Sequence, residues 1–163
     1  IASVLETKGG EFCHGYTYSG HPVAAAVACE NIRILQEENI ISSVRDKTGP
    51  YLKEKWAELS NHPLVGEARS LGMLGAIELS PEPKSRASFE ASEGTAGLIT
   101  RNICIRNGLI MRHVYDKMII SPPLIITTCE IDNLMSLVWK SLDEAKMVLE
   151  EKGLMSVGNR RAQ

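Results

Sequence analysis

The strongest candidate for chemistry is a loop that precedes an alanine-rich stretch near the N-terminus. It reads Phe12-Cys13-His14-Gly15-Tyr16-Thr17-Tyr18-Ser19-Gly20-His21-Pro22. Its glycines allow the backbone to adopt positive φ or to approach another group closely. Three consecutive hydroxyl side chains lie just before a helix start that a proline favours, and such a set of donors suits an anion such as phosphate. The spacing alone also fits an ordinary loop with a helix cap, so both interpretations stay open.

The order of residues is more specific than their spacing. The loop, together with the Val23-Ala24-Ala25-Ala26-Val27-Ala28 run that follows it, resembles a signature of the class III (omega) aminotransferases, pyridoxal-phosphate enzymes of fold type I. Further blocks in the same order extend the resemblance over roughly residues 10–150. These blocks are His62-Pro63-Leu64-Val65-Gly66-Glu67-Ala68-Arg69, Gly72-Met73-Leu74-Gly75-Ala76-Ile77-Glu78-Leu79, Gly108-Leu109-Ile110-Met111-Arg112 and Ser121-Pro122-Pro123-Leu124-Ile125-Ile126.

The resemblance implies an α/β fold, with helices over a small antiparallel or mixed sheet. The chain would hold the C-terminal small domain of a fold type I transferase, preceded by the end of the large domain and a long connecting helix. The expected division is 1–21 for the end of the large domain with the phosphate loop, 22–60 for the connecting helices, 61–153 for the small domain and 154–163 for a disordered tail. The Schiff-base lysine is expected upstream of Ile1, so this chain is expected to hold no catalytic residue and to be inactive alone.

Three residues receive roles from the resemblance. The Thr17 hydroxyl, with the backbone N–H of Tyr16 or Thr17, is expected to bind the cofactor phosphate of the neighbouring subunit, which implies a homodimer. Arg112 is expected to pair with a substrate carboxylate, for which a planar guanidinium is well suited. The alternatives are a hydroxyl that stabilises only its own loop and a surface arginine in a strand pair. Where the family pattern has a glycine before the aspartate at position 116, this chain has Tyr115.

The implied activity is transfer of an amino group from an omega-amino acid, diamine or amine to a keto acid such as pyruvate, with pyridoxal 5'-phosphate as cofactor. Two alternatives remain open: an aminomutase or decarboxylase of the same superfamily, and a non-catalytic, stand-alone interaction module. The enzyme-fragment hypothesis predicts an exposed apolar patch near Val23 to Ala28, where a large domain would pack. The module hypothesis predicts a closed surface.

Composition excludes other classes of function. The chain has 163 residues, of which 44% are hydrophobic and 23% charged, with a formal net charge of -2. This balance is typical of a soluble globular protein and offers no basic stripe for nucleic acid. No apolar run is long enough for a bilayer, and no signal peptide is evident. The cysteines form no CxxC pair and the histidines are scattered, so we expect reduced thiols, no metal site and a cytoplasmic location.

Hydrophobic periodicity predicts the elements that position these residues. Residues 1–10 are interpreted as the end of a helix, and 80–92 as a mobile polar loop. The other predicted helices cover about 22–38, 42–59 with a kink or a restart at Gly49-Pro50, 96–106, and a last helix capped by Thr128 that ends near Gly153. The apolar stripe of this last helix is predicted to be Ile131, Leu134, Leu137, Val138, Leu142, Ala145 and Leu149. Extended segments are predicted within 65–79 and over 109–113, 118–120 and 124–127.

Overall fold

A computed structural model describes residues 2–10 and 15–158, and the chain divides into two compact units, Ile1–Glu38 and Asn39–Gln163. In the first unit, helix α1 (Ala2–Lys8) is followed by the hydroxyl-rich loop and helix α2 (Pro22–Glu37). The α2 helix begins where the sequence predicts, because Pro22 occupies its first turn and the Nδ1 atom of His21 accepts a hydrogen bond from the Ala24 N–H at 3.4 Å.

The second unit begins with a kinked helical segment. Helix α3 (Ile40–Ser43) continues into a π-helical turn (Val44–Thr48) and then into helix α4 (Gly49–Glu58). Pro50 has no N–H to donate to a helical hydrogen bond. The Gly49 N–H, just before it, bonds to the carbonyl of Val44, five residues back, as in a π-helix. A Cβ atom on Gly49 would lie 2.6 Å from that carbonyl oxygen. The predicted kink is therefore present, and it takes the form of a widened turn.

The described residues of the second unit also form a short 3-10 helix (Leu59–Asn61), six strands and two further α-helices. The strands are β1 (Val65–Leu71), β2 (Leu74–Leu79), β3 (Ser88–Phe89), β4 (Arg112–Val114), β5 (Lys117–Ile120) and β6 (Val157–Gly158), and the helices are α5 (Thr95–Arg106) and α6 (Thr128–Glu151). The main sheet has the order β1–β2–β5–β4, and every neighbouring pair in it is antiparallel. An α/β fold with helices over a small antiparallel sheet is thus confirmed.

The core of the second unit contains side chains from α4, α5, α6 and the main sheet. On the sheet, Ile77 and Met118 lie opposite each other and are buried. From the helices, Trp56 of α4 and Leu142 of α6 are also buried in this core. The apolar stripe predicted for α6 is confirmed, since its members are buried or half-buried: Ile131, Leu134, Leu137, Val138, Leu142, Ala145 and Leu149. Among the described residues, every helix is too short or too polar to span a lipid bilayer.

Several local predictions are wrong. The N-cap of α6 is Thr127, because its side chain accepts from the Glu130 N–H while the Glu130 carboxylate accepts from the Thr127 N–H. Residues 124–127 form no strand; a turn lies there instead, in which the Ile126 N–H bonds to the Pro123 carbonyl.

The segments predicted as a mobile loop and a disordered tail pair with each other over the part that the structure describes. Phe89 of β3 lies opposite Val157 of β6, and Phe89 is buried. The Glu90 N–H bonds to the Ser156 carbonyl at 2.9 Å. Within the predicted tail, residues 157–158 therefore form a strand, and residues 159–163 lie outside the described residues.

Candidate functional site

The hydroxyl-rich loop of the first unit is closed by a reciprocal pair of hydrogen bonds. The Tyr16 N–H donates to the Ser19 hydroxyl, and the Ser19 N–H donates to the Tyr16 carbonyl, each at 2.9 Å. At the end of the loop, the His21 side chain caps α2, as described above. Cys13 and His14 lie outside the described residues.

Thr17 has two hydrogen-bond donors in this loop, its hydroxyl and its backbone N–H. It is exposed, and within residues 2–10 and 15–158 neither its hydroxyl nor its N–H has a hydrogen-bond partner. The Tyr16 N–H, by contrast, is already used inside the loop. A free hydroxyl and N–H just before a helix start fit a phosphate group, which needs several donors. Tyr16 and Tyr18 are 77% and 81% exposed.

Arg112 lies on the edge strand β4, in the second unit. It belongs to one row of residues across the sheet, Arg69–Ala76–Ile119–Arg112, on the face opposite the buried Ile77 and Met118. At the other end of this row, the Arg69 guanidinium lies 3.7 Å from the Glu67 carboxylate. The Arg112 side chain is exposed and makes no hydrogen bond or ion pair with a described residue.

The neighbouring charges on this face already have partners. Glu67 also accepts from Arg86 at 3.1 Å, and Lys117 lies 3.8 Å from Glu78. Among the described residues, no carboxylate therefore pairs with the Arg112 guanidinium, which leaves it available for one from outside this part of the chain. Its fork of donors would bind such a group through two parallel hydrogen bonds.

The turn that follows Arg112 has an unusual backbone. Val114 pairs with Lys117, which leaves Tyr115 and Asp116 as a two-residue turn. Tyr115 has φ of 52°, in the left-handed region that hairpin turns usually assign to glycine. The Asp116 carboxylate accepts from the Gly94 N–H at 3.2 Å and from a second N–H at the start of α5. These two bonds make Asp116 a structural residue of the turn.

An apolar groove of about 480 Å³ lies beside the strand that carries Arg112. Residues 108–110, the Pro122–Pro123 pair and the first turns of α6 line it. None of its described lining residues is a lysine, arginine or histidine. Its one carboxylate, that of Glu130, is engaged in the α6 cap. The described lining of the groove therefore offers no cationic side chain to a substrate carboxylate.

His62 is a buried polar residue that sequence reasoning missed. Its Nδ1 atom accepts from the Leu64 N–H at 3.1 Å, and its Nε2 atom lies 3.2 Å from the Asp143 carboxylate. The ring makes an edge-to-face contact with Trp139 at a centroid distance of 5.2 Å. Burial lowers the pKa of His62, and the attraction of Asp143 only partly opposes this. These contacts make His62 a structural residue, and the described residues contain no cluster of potential metal ligands.

Comparisons with known proteins agree with the sequence resemblance. A family model described as aminotransferase class-III matches residues 1–142. The putrescine–pyruvate aminotransferase of Pseudomonas aeruginosa is 58% identical over 144 residues, which cover 88% of this chain and 31% of that protein. The mitochondrial gamma aminobutyrate transaminase 1 of Solanum lycopersicum is 36% identical, over 88% of this chain and 28% of that protein.

A solved structure gives the same result at the level of the fold. The omega transaminase of Pseudomonas jessenii in complex with PMP superposes with a TM-score of 0.77 at 33% identity, over 91% of this chain and 32% of that one. The chain therefore spans about a third of the length of the relatives that it matches.

Proposed function

This chain belongs to the class-III aminotransferases, and on that premise we propose that the whole protein transfers an amino group from a diamine, amine or omega-amino acid to a keto acid such as pyruvate. The observation that carries this proposal is the 58% identity with a protein named putrescine–pyruvate aminotransferase. That name supports a diamine donor and pyruvate as acceptor. The relatives described above are all named aminotransferases or transaminases, which supports amino-group transfer over a mutase or decarboxylase reaction.

Pyridoxal 5'-phosphate is the cofactor of this family, and when bound it supplies the electron sink for amino-group transfer. The part of this chain that would hold it is the Thr17 loop. The Thr17 hydroxyl and N–H would donate to the phosphate, since both are exposed and unused among the described residues. The Tyr16 N–H would join them only if the Ser19 hydroxyl moved away. The lysine that carries the cofactor is expected outside this chain.

Arg112 would orient the acceptor. Its guanidinium would form an ion pair with the carboxylate of pyruvate, which holds the keto group in one orientation. Putrescine has no carboxylate, so the same side chain would make no such pair with the diamine. The absence of a partner for Arg112 in the described part of the chain supports this role, because no internal ion pair has to break first.

The assembly proposed is a cytoplasmic homodimer in which each Thr17 loop serves the cofactor of the other subunit. Exposed apolar residues of α2 support a larger assembly around this chain. Val23 and Val27 are 65% and 64% exposed, as the enzyme-fragment hypothesis predicts. A stand-alone module would leave no such surface open to water.

The test uses the full-length holoenzyme with putrescine as donor. Two acceptors are compared: pyruvate, and acetaldehyde, which lacks the carboxylate. Arg112→Ala is expected to lower kcat/KM for pyruvate by about 10- to 100-fold, because a charge-assisted pair is lost. The kcat/KM for acetaldehyde is expected to change little. Arg69→Ala is the matched control, because Arg69 occupies the opposite edge of the same row and already pairs with Glu67. Equal losses on both acceptors would exclude the role assigned to Arg112.

A further inference from the structure

The segment that carries Arg112 contacts both ends of helix α5. At the C-terminal end of α5, the Leu109 N–H donates to the Cys104 carbonyl at 2.8 Å. The Met111 side chain is buried, and its sulfur lies 4.0 Å from that of Cys104. The residue immediately before Arg112 is therefore fixed in the core, whereas Arg112 itself is exposed.

The second attachment is at the N-terminal end of α5. The helix begins after Gly94, which has φ of 87° and no side chain with which to cap it. Asp116 supplies the cap from a distance: its two carboxylate oxygens accept from the N–H groups of Gly94 at 3.2 Å and Gly97 at 3.0 Å. Charge-assisted bonds to free helix N–H groups are among the stronger polar contacts in a protein.

Close packing reinforces this attachment. A Cβ atom on Gly97 would lie only 2.0 Å from the Tyr115 carbonyl oxygen, so the turn rests directly on the helix backbone. The Asp116 carbonyl also accepts from the Leu79 N–H at 2.9 Å. A tyrosine in left-handed conformation persists only where its surroundings determine the backbone, and these contacts do so.

The strand between the two attachments is short. β4 has three residues, lies at the sheet edge and is bonded to β5 alone. So short an edge strand opens readily unless its ends are fixed. We propose that Asp116 is a positioning residue for Arg112: by binding the first turn of α5 it fixes the β4–β5 hairpin, and thus the backbone from which Arg112 reaches the substrate carboxylate.

This inference rests on the role proposed for Arg112, and its test separates the two. The full-length holoenzyme is assayed with putrescine as donor and with pyruvate or acetaldehyde as acceptor. Asp116→Ala is expected to raise KM for pyruvate by about 10-fold and to leave kcat/KM for acetaldehyde within about 2-fold, because a misplaced guanidinium affects only the acceptor that carries a carboxylate. Asp116→Asn, which keeps one acceptor oxygen, is expected to fall between the wild type and Asp116→Ala.

Asp132→Asn is the matched control, since Asp132 also accepts a tertiary hydrogen bond, from the Tyr51 hydroxyl at 2.6 Å, but on another helix. It is expected to affect both acceptors alike. Amide hydrogen exchange at residues 112–114 is expected to speed up in Asp116→Ala and to stay unchanged in Asp132→Asn. In the double variant Arg112→Ala/Asp116→Ala, the loss on pyruvate is expected to equal that of Arg112→Ala alone.

The outcomes divide clearly. If Arg112→Ala discriminates between the acceptors and neither Asp116 variant does, the positioning role is overturned while the proposed function stands. If Arg112→Ala loses equally on both acceptors, the carboxylate role of Arg112 fails and the inference falls with it. A shift in acceptor preference with faster exchange at residues 112–114 supports the inference, because a general loss of stability would lower both activities together.

Discussion

The indole ring of Trp56 lies directly on the backbone of Gly75. A Cβ atom added to Gly75 would come within 2.8 Å of the Trp56 Cε2 atom and 3.0 Å of the Ile120 Cγ1 atom. Trp56 is fully buried, and its Nε1–H donates to the Ala76 carbonyl at 3.1 Å. Glycine at this position therefore allows α4 to pack against strand β2.

Gly75→Ala is expected to lower the free energy of unfolding by about 1–3 kcal/mol, the usual penalty for forcing an extra methyl group into a packed core. Urea titration of the purified protein measures this change. Gly15→Ala is the control, since no atom of a described residue lies within 4 Å of a Cβ atom added there. If the two variants have equal free energies of unfolding, the Trp56 side chain moves to accommodate the extra methyl group without destabilising the protein.

His62 makes stability depend on pH. Burial lowers its pKa from the ordinary value of 6.5, and protonation of Nδ1 would also break the bond from the Leu64 N–H. Because the folded-state pKa lies below the unfolded value, the unfolded chain binds the proton first as the pH falls. This contribution to stability is therefore complete above pH 6.5 and is lost progressively as the pH falls below it.

The measurement is the free energy of unfolding at pH 7 and at pH 5. His62→Gln is expected to lose less free energy of unfolding between pH 7 and pH 5 than the wild type does, because it lacks this histidine. At pH 7 the variant is expected to be less stable than the wild type. His113→Gln removes a different histidine of the same unit and is expected to keep the wild-type decline. If the free energy of unfolding of His62→Gln falls between pH 7 and pH 5 as much as that of the wild type, groups other than His62 cause the pH dependence.

The cap of α6 provides a comparison of adjacent threonines. Thr127→Ala is expected to lower the free energy of unfolding by about 1 kcal/mol, because it removes the acceptor for the Glu130 N–H. Thr128→Ala is the control and is expected to be nearly neutral, since Thr128 lies within the helix. Thermal or urea unfolding distinguishes them. A larger effect at Thr128 would contradict the observed cap.

The same cap shows where sequence reasoning reached its limit. The apolar stripes of α4 and α6 were predictable, because helical periodicity depends on near neighbours only. Their exact starts were less certain, although the Thr127-x-x-Glu130 spacing is a capping-box signal that identifies the correct residue. The N-cap of α6 lies one residue before the predicted position, at Thr127 and not Thr128, and the set of buried residues on the helix is the same for either cap.

Contacts between distant segments could not be predicted. The strands at Phe89 and Val157 have two residues each, too few for a period, and they pair across most of the second unit. The site showed the same limit. Arg112 was recognised by its sequence context, but whether a carboxylate of the chain neutralises it depends on the register of four strands. The burial of His62 likewise depends on α6, far along the chain.

Tyr115 is predicted to be replaceable by glycine with a gain in stability. The left-handed backbone costs an L-residue about 1–2 kcal/mol, and the greater freedom of glycine in the unfolded chain offsets part of the relief. Tyr115→Gly is therefore expected to raise the free energy of unfolding by about 0.5–1 kcal/mol. Tyr115→Ala keeps the Cβ atom at φ of 52° and is expected to gain nothing. Urea unfolding of the two variants tests this prediction. If Tyr115→Gly and Tyr115→Ala are equally stable, the left-handed backbone at residue 115 does not destabilise the protein.

Thr17 is predicted to control cofactor retention in the full-length enzyme. Thr17→Ala is expected to raise the dissociation constant of pyridoxal phosphate by at least about 10-fold, since a hydrogen bond to a charged group typically contributes about 1.5–3 kcal/mol. Thr17→Ser keeps the hydroxyl and is expected to retain most of the affinity. Thr7→Ala is the matched control, because the Thr7 hydroxyl bonds within α1 to the Ser3 carbonyl at 2.7 Å. Cofactor absorbance during dialysis measures the effect, and unchanged retention in Thr17→Ala would leave the hydroxyl with a role in its own loop only.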